Sequence, residues 1–96
     1  MAFLSLINMG EIVCNTERKL GDNAAMDILR DILRLPVQLA EVTMDRVSAA
    51  AHVKAHHAIS YADAFAVSLA QELNATLVTS DPEFKQVESL TRLLWL

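Results

Sequence analysis

The chain has a single cysteine, Cys14, so no internal disulfide can form and no paired-cysteine metal motif is present. Such usage fits a reducing compartment. With only 2 Gly and 2 Pro, collagen-like repeats, Pro-rich linkers and low-complexity tails are excluded. Positive charge is also scarce. The 8 Lys and Arg against 12 Asp and Glu give a net charge of −4, which argues against binding nucleic acid through a simple basic surface. That balance still allows an enzyme that holds a phosphodiester through metal ions on carboxylates. No apolar run nears the roughly 18 residues needed to cross a bilayer. The opening Met1-Ala2-Phe3-Leu4-Ser5-Leu6-Ile7 lacks the basic flank and cleavage site of a signal peptide. A cytoplasmic protein without a membrane segment is expected. What the sequence has in abundance is apolar character: 53% of its 96 residues are hydrophobic and 21% charged, which excludes disorder. One domain spanning 1–96 is the expectation.

Apolar residues from Phe3 to Leu20 recur at near-helical spacing, which predicts a first helix, with Gly21 as its stop and Asp22 as the cap of the next. The second helix carries Ala25, Ile28, Leu29, Ile32 and Leu33 on one face and is broken by Pro36. Val37 to Val42 alternates as a short strand. Thr43 to His57 reads as a third helix capped by Thr43, interrupted at Ile59-Ser60. Tyr61 to Leu73 is a nearly all-apolar helix, expected to be buried on more than one side. Ala75 to Thr79 suits an interior parallel strand, Pro82 to Ser89 a short helix, and Thr91 to Leu96 a final strand. Three strands separated by helices imply a layered α/β domain with a parallel sheet. Two successive helices at the start are unusual for that class, and a strand–helix unit of roughly 30 residues ahead of them would complete the layout.

Three acids stand out. Glu11 shares a predicted helical face with Leu4, Ile7 and Cys14, where a carboxylate needs a cation, donors or water; a rotated helix with Glu11 in solvent is the plainer alternative. Asp63 lies within the apolar Ala62-Asp63-Ala64-Phe65-Ala66-Val67, although Ser60-x-x-Asp63 also has the pattern of a capping box. Asp81 follows the strand ending at Thr79, the edge where ligands collect in parallel sheets, and it can equally cap a helix with Pro82 in its first turn. Thr79 either orients the Asp81 carboxylate or is simply a strand residue. Hard divalent ions such as Mg²⁺ or Mn²⁺ prefer oxygen ligands and need only a few carboxylates. Converging acids would repel one another without a cation and hold one well. His52, His56 and His57 make a zinc pair conceivable, but no second cluster supplies further ligands, so a solvated helix face is the better reading.

The stretch Ile59-Ser60-Tyr61-Ala62-Asp63-Ala64-Phe65-Ala66, followed by Ala75-Thr76-Leu77-Val78-Thr79-Ser80-Asp81-Pro82-Glu83-Phe84, resembles the C-terminal half of PIN domains, nearest to the VapC-like toxin ribonucleases. Ser5 to Val13 resembles the helix that carries an acid in that family. The resemblance implies a PIN-like, Rossmann-like three-layer α/β fold and an endoribonuclease dependent on Mg²⁺ or Mn²⁺. It implies that Glu11, Asp63 and Asp81 are metal ligands or nearby carboxylates, and that Thr79 supports them through its hydroxyl. It also implies an RNA substrate, a homodimer or higher oligomer, and a small antitoxin partner. A strand bearing an aspartate, then a helix, are expected ahead of the segment matching Ser5 onward; the sequence shows neither. On that reading the domain is truncated at its N-terminus and its nuclease activity impaired.

Two other classes compete. A catalytically inactive PIN-like module would oligomerise or bind an antitoxin through exposed apolar helices. A phospho-accepting α/β domain using Asp81 is weaker, since Asp63 has no role in it and no lysine partner is evident.

Overall fold

The first residues take a course other than the helix their spacing predicts. In the computed structural model, which describes residues 1–96, Ala2–Ser5 forms strand β1, and helix α1 (Leu6–Leu20) begins only after it. β1 pairs in parallel with β2 (Val37–Ala40), in register from Ala2 opposite Val37 to Ser5 opposite Ala40. Long-range ladder bonds override a local helical periodicity, which is a weak prior over four residues. Ser5 ends the strand and caps the helix, its hydroxyl accepting the Ile7 N–H at 3.1 Å.

α1 stops at Gly21, which donates its N–H to the Glu17 carbonyl at 2.9 Å and turns with φ 91°. That torsion favours glycine because an L side chain is strained there. Helix α2 (Asp22–Arg34) follows with no spacer. Gly21 therefore holds the cap position expected of Asp22, whose carboxylate sits instead in the first turn, where it suits the positive end of the helix. α2 gives way to an extended Leu35 directly before Pro36. Met1–Val42 makes one compact unit, with Ala25, Ile32 and Ala40 as its buried apolar residues.

Thr43–Leu96 is the second compact unit. Thr43 caps α3 (Met44–His56) as expected, accepting the Arg46 N–H at 3.2 Å. After the break at Ile59, Ser60 caps α4 (Tyr61–Glu72), accepting the Asp63 N–H at 3.1 Å. The two helices pack through small and β-branched residues, with Ala50 and Val53 on α3 and Ala64, Val67 and Ala70 on α4 all buried. Phe65, Leu69, Phe84 and Val87 enlarge the same core. Each such large side chain removed from water contributes about 1.5–3 kcal/mol. α4 closes in a Schellman turn: Ala75 N–H bonds the Ala70 carbonyl at 2.8 Å and Asn74 N–H the Gln71 carbonyl at 3.3 Å, with Asn74 left-handed at φ 51°.

Strand β3 (Leu77–Thr79), a 3₁₀ helix (Pro82–Val87) and β4 (Leu93–Trp95) complete the chain. β3 and β4 are parallel, Leu77 opposite Leu93 and Thr79 opposite Trp95. The strands thus number four rather than three and form two two-stranded parallel sheets rather than one. Mixed helices and parallel strands agree with the expected α/β class. No helix is long and apolar enough to cross a membrane.

Candidate metal centre

Asp63, Asp81 and Glu83 come together in the second unit, each with a carboxylate oxygen within 4.8 Å of the others. Three local devices bring them there. Ser60 holds the Asp63 amide, so Asp63 occupies the first turn of the apolar α4 and is only half-buried. The buried Thr79, at the carboxyl end of β3, accepts the Asp81 N–H on its hydroxyl at 3.0 Å. Asp81 then caps the 3₁₀ helix by accepting the Glu83 N–H at 2.9 Å, with Pro82 in the first turn. Capping by Asp81 occupies one carboxylate oxygen and leaves the other available. The capping reading and the ligand reading of Asp81 are therefore compatible.

The electrostatics record how crowded these acids are. A hydrogen bond shared with Asp63 raises the Glu83 carboxyl above the ordinary glutamate range. Partial desolvation and the charges of Asp63 and Asp81 push in the same direction, while Lys54 works against them. A bound cation would relieve the same repulsion. Lys54, on α3, also donates from Nζ to the Ile59 carbonyl at 2.9 Å, which tethers the turn ahead of Ser60. The donor set is all oxygen and anionic, the chemistry that Mg²⁺ or Mn²⁺ takes. The residues present fit such an ion.

Of the residues singled out in the sequence, Asp63 and Asp81 meet, with Thr79 supporting Asp81 through its backbone amide. Glu11 belongs to the first unit and stands exposed on α1, a helix with no buried residue, so the apolar face expected around it is not enclosed. Glu83 is the acid that sequence reasoning passed over. Its only signal is an acid directly after a capping Asp81-Pro82, where the helix dipole alone explains a glutamate. His52 and His56 are exposed on α3, their ring centroids 4.6 Å apart and their planes tilted by 47°, and the His56 Nδ1 bonds the His52 carbonyl at 2.9 Å.

The PIN domain family model matches residues 1–90. A solved structure, that of VapBC2 from Rickettsia felis bound to a DNA fragment from their promoter, superposes with a TM-score of 0.72 at 18% sequence identity. The match covers 96% of this chain and 72% of that one. At that identity the likeness concerns the fold. No curated protein sequence matches the chain.

Proposed function

The chain belongs to the PIN domain family, and from that premise we propose that it acts as a ribonuclease of the VapC toxin kind, dependent on a divalent metal. The observation that carries the proposal is the meeting of Asp63, Asp81 and Glu83 beside the carboxyl end of β3. Asp63 and Asp81, with Glu83 joining them, would hold Mg²⁺ or Mn²⁺, and Glu11 is proposed as a further carboxylate of the site. When bound, such an ion polarises a phosphodiester and lowers the pKa of a water ligand. The protein's own part is positional. Thr79 fixes the Asp81 backbone, Ser60 fixes that of Asp63, and Lys54 offsets part of the negative charge. No side chain here is placed as a covalent nucleophile, so hydrolysis by water is the reaction proposed. An antitoxin partner is proposed from the VapBC2 likeness.

The test is RNA cleavage with and without Mn²⁺ by the parent chain, Asp63→Asn and Asp81→Asn. Metal-dependent cleavage lost in both variants supports the reading; cleavage at the parental rate in both sinks it.

A second reading, a non-catalytic interaction module, has its own observation. The first unit leaves Leu20 74%, Met26 61% and Leu33 64% exposed, and β1 pairs on one side only. Apolar exposure of this kind and a free strand edge favour association, with a second copy or an antitoxin as the proposed occupant. Sedimentation with Mn²⁺ titration separates the two, since a module of that kind oligomerises without specific metal uptake.

A further inference from the structure

The acids of the cluster are carried by two separate segments: Asp63 by the first turn of α4, and Asp81 and Glu83 by the start of the 3₁₀ helix. Deprotonated, the three carboxylates repel one another, so they do not hold those segments together. Phe84 and Val87 are buried and anchor the 3₁₀ helix to the core. Burial is non-directional, however, and does not by itself set where that helix stands against α4. A directional bond does.

Gln86, on the same 3₁₀ helix, donates from Nε2 to the Ala58 carbonyl at 3.1 Å, across 28 residues of sequence. Ala58 lies in the turn that leads into Ser60, the residue that holds the Asp63 amide. The next carbonyl, that of Ile59, takes the Lys54 ammonium of α3 at 2.9 Å. The turn is thus pinned from both sides, and the Gln86 bond joins the segment bearing Asp81 and Glu83 to the one that places Asp63. Gln86 does this with a neutral amide, which adds no repulsion toward a cation. Its side chain is exposed, so removing it opens no cavity and should change stability little.

The span between the two segments decides which ion suits them. Mg²⁺ demands a near-octahedral shell of oxygens at about 2.0–2.1 Å, whereas Ca²⁺ accepts a looser shell at about 2.3–2.6 Å. Selectivity between them therefore depends on how rigidly the ligands are spaced. We propose that Gln86 is a positioning residue: by clasping the 3₁₀ helix to the turn before Ser60, it fixes the span from Asp63 to Asp81 and Glu83 and so gives the site a preference for Mg²⁺ over Ca²⁺. The proposal rests on the metal-dependent reading above and adds what selects the ion.

The test is calorimetric titration of the full chain with Mg²⁺ and, separately, with Ca²⁺. Gln86→Met keeps the length of the side chain and removes the donor. It should weaken Mg²⁺ binding by about 10-fold or more and Ca²⁺ binding by about 3-fold or less, with a melting temperature close to the parent's. A general loosening of the fold would lower both affinities together and leave their ratio unchanged. Gln86→Lys restores a donor of sufficient reach. Its charge acts on both divalent ions alike, so the preference for Mg²⁺ should return even though both affinities fall.

An unchanged ratio of affinities in Gln86→Met overturns the proposal, as does a Gln86→Lys variant that folds, by circular dichroism, without regaining the preference. A parent chain that takes up neither ion, or that prefers Ca²⁺, overturns it as well. The clasp and the nuclease fail separately. Metal-dependent RNA cleavage with an unchanged ratio in Gln86→Met removes the clasp and leaves the nuclease. A preference lost in Gln86→Met, in a parent chain that cleaves no RNA, supports the clasp and removes the nuclease.

Discussion

The two compact units are built on different principles. The second buries ten apolar residues, from Ala50 to Val87, between two helices and the elements that follow them. The first buries three, Ala25, Ile32 and Ala40, and is ordered chiefly by a strand ladder and a helical hairpin joined at Gly21. The acid cluster lies wholly in the unit with the denser core. Carboxylates that repel one another need a frame that does not yield, and packed side chains supply it. A segment of 42 residues that buries so little apolar surface does not gain enough from its own core to stand alone.

The largest effects should come from breaking the denser core. Phe65→Ala should cost about 3–5 kcal/mol in denaturant unfolding, a large share of the roughly 5–15 kcal/mol typical of a domain. Leu33→Ala, at a 64% exposed position of the first unit, should fall within about 0.5 kcal/mol. Hydrogen exchange sharpens the contrast: amides of α1 should exchange before those of α4. Equal protection in both would mean that the first unit gains its order from contacts other than burial.

Next in size are the ligand changes. Asp63→Asn and Asp81→Asn should each weaken Mn²⁺ binding by about 10–100-fold or more, read by calorimetry. Glu11→Gln asks whether the first unit serves the same ion. A loss of similar size would join it to the site, and an unchanged affinity would confine the site to the second unit.

Glu83→Gln should separate stability from metal binding. A carboxyl whose pKa is raised on folding contributes stability below its unfolded pKa, and that contribution disappears as the pH rises through the folded value. At neutral pH Glu83 therefore weighs against the metal-free fold. The amide should raise the melting temperature of the metal-free protein at pH 7 and have little effect at pH 4, while lowering Mn²⁺ affinity.

A small effect belongs to the ion pair of Arg46 and Glu72, at 2.9 Å with side chains 25% and 45% exposed. Its hydrogen bond holds Glu72 below the ordinary glutamate range. The stability it gives is present above the unfolded pKa and lost as the pH falls through the folded one. Screening by water and salt limits it to about 1 kcal/mol at most, and Arg46→Met should flatten that acid limb of the melting curve by no more.

Much of this was legible in the sequence where the signal was local. Thr43 and Ser60 announce their helices by cap chemistry, and Asp81-Pro82 announces the 3₁₀ turn. Asp63 is conspicuous because its neighbours are apolar. The motif resemblance led to the same family that the chain-wide match identifies. What escaped was non-local. β1 is four residues long and its partner lies beyond two helices, so no periodicity marks it. Glu83 looks like an ordinary first-turn acid until α4 brings Asp63 against it. For Glu11 spacing specifies a stripe and not what covers it, so an apolar face and a solvent-facing one stay open in the sequence; α1 has no buried residue, which is the solvent-facing alternative.

The joint between α1 and α2 has a consequence for handedness. Gly21 stands at φ 91° and ψ 173°, and a side chain added there would meet no atom within 4 Å. The obstacle to replacing it is thus torsional and not steric crowding by neighbours. An L-alanine should cost about 1–3 kcal/mol, whereas D-alanine, for which the same torsions mirror an ordinary extended conformation, should be tolerated and should stiffen the unfolded chain. In a synthetic version of this protein, the mirror-image residue is the stabilising one.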